Sequence, residues 1–136
     1  MTFFSVLLPL LAGCAETEVK MHTYPAGMVY IEDSEVENAM LRLSRYIWSM
    51  NDIFDSQEHI AGYNREMILE LLGNMEKEAL TLGAGARQTN HLLIDENIEE
   101  FRADVRNARK AVEAEPPNYY LAGRLSGSCL ACHVKR

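Results

Sequence analysis

The chain has 136 residues, 48% of them hydrophobic, and its 20 acidic against 13 basic side chains leave a formal net charge of −7. This length and apolar content suit one domain with a single core. The acidic balance argues against nucleic acid as a partner, because phosphate recognition needs a basic stripe, and it fits a body that meets basic partners or none in particular.

Residues 1–13 form an uncharged apolar run, Met1-Thr-Phe-Phe-Ser-Val-Leu-Leu-Pro-Leu-Leu-Ala-Gly13, the length of a signal-peptide core and too short to span a bilayer. Leu11-Ala12-Gly13-Cys14 resembles the lipobox of bacterial lipoproteins, in which the cysteine is acylated and becomes the first residue of the mature chain. Small residues at 12 and 13 suit the peptidase pocket. Ala15 follows where an inner-membrane retention signal would carry Asp, so sorting to the outer membrane is favoured. Residues 14–33, with Pro25 and Gly27 and little periodicity, then read as a tether to the membrane.

The body of the chain is residues 34–136. Ser34-Glu35-Val36-Glu37 reads as a capping box, with the serine at the N-cap. Val36, Met40, Leu43, Ile47, Met50 and Phe54 follow at alternating spacings of four and three, which predicts a helix over about 35–56. A second helix is predicted over about 62–82, with Met67, Leu71, Met75 and Leu82 on its apolar face and Gly83-Ala-Gly85 as its stop. The third carries Ile94, Ile98, Phe101, Val105, Ala108 and Val112 at the same alternating spacing, with Asp95 as N-cap. Pro116-Pro117 ends it near 114, and a fourth helix begins near 117. No stretch sustains period-two alternation, so the fold class is all-α. Four amphipathic helices joined by short connections predict an antiparallel four-helix bundle.

The fourth helix ends in Cys129-Leu-Ala-Cys132-His133. Two cysteines two apart, followed at once by histidine, have the spacing at which both vinyl groups of a haem become thioethers while the imidazole ligates the iron. On a helix these residues stand at i, i+3 and i+4 and project from one face. A zinc site would need a fourth ligand, and His22, His59 and His91 are scattered singly, the pattern of solvated loop residues. A thioredoxin-type redox pair would sit at a helix start after a buried strand, and Leu121, Leu125 and Leu130 offer no such strand. With one thiol assigned to lipid and two to haem, none is left for a disulfide. Haem attachment and lipidation both occur beyond the bacterial inner membrane, so the two motifs name one compartment, the periplasm.

An all-helical domain with this motif on its last helix resembles the class II c-type cytochromes, the cytochrome c-prime and cytochrome c-556 family. The resemblance covers residues 34–136. It implies one covalent haem c held by Cys129 and Cys132, with His133 as the proximal iron ligand. It also implies a distal face covered by a residue of the first helix, and Met40 falls where the family's methionine ligand lies. The family's usual arginine one turn earlier is replaced by Val36, so Arg42 and Arg45 become the candidates for haem propionates and Arg136 for the proximal face. Met21 and Met28 lie in the tether, and nothing in the sequence favours them as ligands. Trp48, Tyr46, Tyr119 and Tyr120 read as core or pocket packing, and the acidic clusters 96–100 and 113–115 as solvated faces.

No residue set supports bond-making catalysis. The expected function is that of a lipid-anchored electron carrier, not an enzyme, exchanging single electrons with redox partner proteins. If the sixth iron position is open, the expectation changes to a five-coordinate protein binding nitric oxide or carbon monoxide. A third reading is a helical adaptor without haem. Family resemblance also leaves a homodimer through the first helix open.

Overall fold

The computed structural model describes residue 27 and residues 29–56, 63–83 and 87–133. The leader, Cys14, most of the tether with Met21, His22 and Met28, and also His59 and Arg136, lie outside the described residues. In chain order the elements are β1 (Val29–Tyr30), α1 (Asp33–Asp55), α2 (Tyr63–Thr81), β2 (Arg87–Gln88) and α3 (Leu92–Glu113). Three helical turns of four residues each follow, α4 (Tyr120–Gly123), α5 (Leu125–Ser128) and α6 (Leu130–His133). The protein is all-α, and among the described residues no helix is long and apolar enough to cross a membrane.

The apolar seams read from the sequence make the core, with corrections of phase. On α1, Val36, Leu43, Ile47 and Met50 are buried as expected, Ala39 joins them, and Met40 and Phe54 sit at the edge of the core. On α3, Ile94, Ile98, Val105, Ala108 and Val112 are buried and Phe101 is partly so. On α2 the buried stripe is Ile68, Leu72, Met75 and Ala79, one residue on from the predicted Met67 and Leu71. Met67 is 37% exposed. Residues 67–72 are apolar at every position but Glu70, so periodicity alone does not choose a face, and the neighbours α1 and α3 choose it.

Both predicted N-caps are replaced by tertiary contacts. A short parallel ladder pairs Val29 with Arg87 and Tyr30 with Gln88, and the Ile31 amide extends it by donating to the Gln88 carbonyl at 3.0 Å. Ile31, 1% exposed, is thereby driven into the core, and α1 starts directly behind it. The Glu32 carbonyl accepts the amides of Glu35 and Val36, no side chain caps the helix, and Ser34 lies inside it. Asp33 and Glu35 in the first turn complement the helix dipole. At α3 the N-cap is His91. Asp95, the fourth residue of that helix, reaches back to accept the amide of buried Thr89 at 2.9 Å and its hydroxyl at 3.0 Å.

The helices alternate in direction. Arg42 near the start of α1 meets Glu78 near the end of α2 at 2.6 Å. At the start of α2, Arg65 clasps the end of α3: Nε donates to the Val112 carbonyl at 3.1 Å, a second nitrogen to the Glu113 carbonyl at 2.8 Å, and a third to Glu115 at 2.6 Å. The Asn118 amide takes the Ala111 carbonyl at 2.8 Å, so three successive carbonyls at the end of α3 are satisfied. At the opposite end of that helix pair α2 stops at Thr81, and a Cβ on Gly83 would stand 2.8 Å from the Ile98 side chain. Only glycine permits this approach.

After Pro117 the chain returns along α3, with Ser128 meeting Asp104 and Cys132 meeting Leu93. The single fourth helix expected from the sequence is instead three short turns broken at Arg124 and Cys129. Gly123, Ser126, Gly127 and Ser128 are weak helix formers, and the backbone of Arg124 (φ −100°, ψ −2°) leaves the helical path.

Replacing Arg65 by Ala is expected to cost about 1.5–3 kcal/mol, the range for hydrogen bonds made by a charged donor. Arg65→Lys should recover less than half, because an ammonium does not reproduce the planar fork. Urea unfolding followed by circular dichroism measures both; equal stability of Arg65→Ala and wild type would refute the clasp.

Candidate functional site

Two recesses flank the C-terminal segment, and Phe101 and Ser128 stand in the wall between them. One, of about 380 Å³, is an apolar cleft. From α1 it takes Met40, Leu41, Leu43 and Ile47, with Glu37 and Ser44 at its border; from α3 it takes Ile94, Ile98 and Phe101. Its remaining wall is Ser128, Cys129, Cys132 and His133. The other recess, of about 570 Å³, is mixed in character, with Glu100, Asp104, Asn107 and Arg124 beside Tyr120, Leu121 and Leu125, and it takes from the motif only the spacer residues Leu130 and Ala131.

Local structure explains how the motif comes to face the cleft. Cys129 interrupts the helical turns by hydrogen bonding but keeps helical dihedrals, φ −63° and ψ −29°. The His133 amide donates to the Cys129 carbonyl at 3.2 Å, which closes one turn and sets the two residues on the same side. Cys129 is half-buried against the core, Cys132 is half-buried, and His133 is exposed at the cleft edge. Across the cleft, Met40 is the seam position of α1 that leaves the core: its neighbours in the seam are closed off, whereas Met40 is only part-covered.

Burial pushes the Cys129 thiol above the usual range, the nearby Cys132 adds to that, and a local backbone hydrogen bond offsets part of it. Cys129 Sγ lies 3.9 Å from the Leu125 carbonyl and Cys132 Sγ 3.5 Å from the Leu93 carbonyl, each placed to donate to that oxygen. A nucleophilic redox pair has the opposite electrostatics, with at least one thiol lowered by a helix N-terminus or a cation. Among the described residues no group of three or more His, Cys, Asp or Glu side chains meets.

The chemistry of the cleft fits a haem. Its walls are apolar, as a macrocycle requires, and both thiols and the imidazole stand on one wall. A porphyrin supplies four nitrogens to its iron, so the protein needs to give only one or two axial ligands. His133 and Met40, on facing walls, are the residues able to do so.

The predicted arginines are not brought to this cleft. Arg42 lies on another stripe of α1, with Glu35 and Asn38, and its bond to Glu78 raises its pKa. Arg45 is exposed and is not part of the cleft wall. Trp48, expected to pack, is 76% exposed, because the inward position of Ile47 turns the next residue outward. Tyr120, 62% exposed, is engaged by Arg124, while Tyr46 and Tyr119 do pack on the core. His91 is exposed at the start of α3, 3.7 Å from Asp33. The acidic residues Glu96, Glu99, Glu100, Glu113 and Glu115 are exposed, as their clustering implied.

Two residues of the site were not read from the sequence. Asn97, 6% exposed on the inward face of α3, donates to the Leu93 carbonyl at 2.7 Å, the same oxygen that Cys132 contacts. Asp104 accepts from Ser128 at 2.6 Å. Polar residues at helical spacing look like solvent-facing positions; Asn97 finds its partner one turn back on α3 itself, and Asp104 finds its partner only because the chain returns along that helix. Compared with protein-family models, curated proteins and solved structures, the chain matches none.

In the haem-free chain, Cys129 should react with iodoacetamide at about pH 8 several-fold more slowly than an exposed thiol, since its thiolate is disfavoured by burial. The rate should climb as the pH is raised beyond the ordinary thiol range. Peptide-resolved alkylation rates measure this, and a Cys129 rate equal to that of a model thiol would contradict it.

Proposed function

We propose that this protein is a c-type haem protein that transfers single electrons. Cys129 and Cys132 hold the haem as thioethers, His133 is the proximal iron ligand and Met40 the distal one. The observation that carries this reading is the meeting of all four side chains on the walls of one apolar cleft, although Met40 lies nearly ninety positions upstream of the motif. The burial of Cys129 supports it as well, because a thiol whose ionisation is disfavoured is a poor partner for disulfide exchange.

Bound in the cleft, haem supplies a one-electron ferric/ferrous couple. The surrounding side chains tune it. Leu43, Ile47, Ile94 and Ile98 exclude water, and thioether ligation by Met40 favours the ferrous state and raises the potential, which suits a carrier. The architecture that resembles the class II cytochromes is then a four-helix bundle whose last member is the segmented stretch from Tyr120 to His133. Acylation of Cys14 would tether this body to the periplasmic face of a bacterial membrane, within reach of redox partners in the periplasm.

The first test is a denaturing gel stained for haem. Stain is expected to run with the wild-type chain and to be lost when Cys129 and Cys132 are both replaced by Ser; an unstained wild type would refute the proposal. A second measurement is the optical spectrum. Wild type is expected to show a low-spin ferric spectrum with an iron–methionine charge-transfer band, and Met40→Ala to lose that band and become high-spin. A high-spin ferric wild type that binds carbon monoxide after reduction would instead assign the cleft to gas binding and remove Met40 from the iron.

A further inference from the structure

We propose that Asp104 is a positioning residue: through Ser128 it holds the Cys129 turn against α3, so that both thiols are presented to the cleft together. The inference rests on the haem reading above. The segment does not hold itself in place. Its helices are single turns of four residues, far below the length at which backbone hydrogen bonds sustain a helix in water. Gly123 and Gly127 add backbone freedom.

Apolar anchoring also fades toward the motif. Ala122 and Leu125 are 1% and 2% exposed, but past them Leu130 is 57% exposed, and Cys129 is only partly packed on the core. The ties from the motif to α3 are polar. Ser128 Oγ donates to Asp104 Oδ2 at 2.6 Å, one residue ahead of Cys129, and Cys132 Sγ donates to the Leu93 carbonyl at 3.5 Å. These differ in strength and in fate. A hydroxyl on a carboxylate at this distance belongs to the strong, charge-assisted class, whereas a thiol on a carbonyl is a weak donor.

Attachment separates them further. Each thiol adds across a vinyl group: sulfur bonds to the carbon next to the porphyrin ring, the thiol proton passes to the terminal carbon, and the double bond becomes single, with no oxidant consumed. Cys132 therefore loses the proton it donates to Leu93, while the Ser128–Asp104 bond persists. The Leu93 carbonyl is not orphaned, because Asn97 Nδ2 still donates to it at 2.7 Å. The device at Asp104 thus acts before attachment and remains afterwards. Attaching both sulfurs demands that both be in place at once, a requirement in which small displacements cost large factors in rate.

The test uses the full chain with Asp104→Ala, Asp104→Asn, Ser128→Ala and the Asp104→Ala/Ser128→Ala double variant, produced in a bacterial periplasm equipped to attach haem c. Attached haem is quantified by its pyridine haemochrome, whose main band moves to longer wavelength when one vinyl group is left. The expected result is a several-fold loss of doubly attached haem in both alanine variants, no further loss in the double variant, and wild-type attachment in Asp104→Asn, whose amide oxygen still accepts from Ser128. Circular dichroism is expected to show the same helix content throughout. A second readout needs no haem: alkylation of Cys129 in the haem-free chain should be several-fold faster in Asp104→Ala and Ser128→Ala and unchanged in Asp104→Asn. Unchanged attachment with unchanged alkylation in Asp104→Ala would overturn the proposal, and so would an equal loss in Asp104→Asn. A wild type that takes up no haem would sink the function proposed above, and the Cys129 rates alone would then decide the role of Asp104.

Discussion

The guanidinium of Arg65 ties the beginning of α2 to the end of α3. A helix that ends at a diproline has carbonyls with no intrahelical partner, and leaving them buried or poorly hydrated would cost about 1–3 kcal/mol each. Arg65 takes two of them and the Asn118 amide takes the one before, so the end of α3 is sealed by the beginning of α2 on one side and by the returning chain on the other. That double seal sets the register between α2 and α3. It also sets where the chain turns, and therefore which residues of the last segment lie beside which residues of α3. Ser128 meeting Asp104 and Cys132 meeting Leu93 are consequences of a junction some distance away in space.

Within that frame α3 has two clients. One side packs on α2 and completes the core; the other supports a segment with little helical strength of its own. The polar residues of α3 that face this segment are therefore part of the architecture. The cleft exists because α1 and the C-terminal segment both lean on the fold without closing the gap between them. A gap with walls of Leu43, Ile47, Ile94 and Ile98 and with two thiols at its margin is open to a flat apolar group. Left unfilled in water, it would forfeit the dispersion contacts that the facing side chains otherwise make.

Much of the fold was legible in the sequence, and the failures have a common cause. The seams of α1 and α3 could be read because each has an apolar face narrow enough to fix its phase: Val36, Leu43, Ile47 and Met50 on one, Ile94, Ile98, Val105 and Val112 on the other. Of the residues expected on α2, Met75 and Leu82 are buried, but the phase of the first half of that helix could not be read, because Met67, Ile68, Leu69, Leu71 and Leu72 offer a broad apolar patch and the helix has neighbours on two sides. Ser34 and Asp95 looked like caps because capping rules are local, whereas the starts of α1 and α3 are set by Ile31, Thr89 and a parallel ladder between segments nearly sixty residues apart. The same holds at the site. Cys129, Cys132 and His133 announced themselves by spacing and Met40 by the family resemblance, and all four line one cleft; Arg42 was drawn to Glu78, and Asp104 acquired its partner only through a chain returning from elsewhere.

The ladder between Val29 and Arg87 has a further consequence, one of placement. It gathers the starts of α1 and α3 at a single pole of the body, and the motif comes back to that same pole when Cys132 reaches Leu93. α3 is about 33 Å long at 1.5 Å per residue, so the two poles of the body are well separated. A chain entering at residue 29 therefore reaches the body at the pole that carries Cys132, while the diproline turn lies at the other.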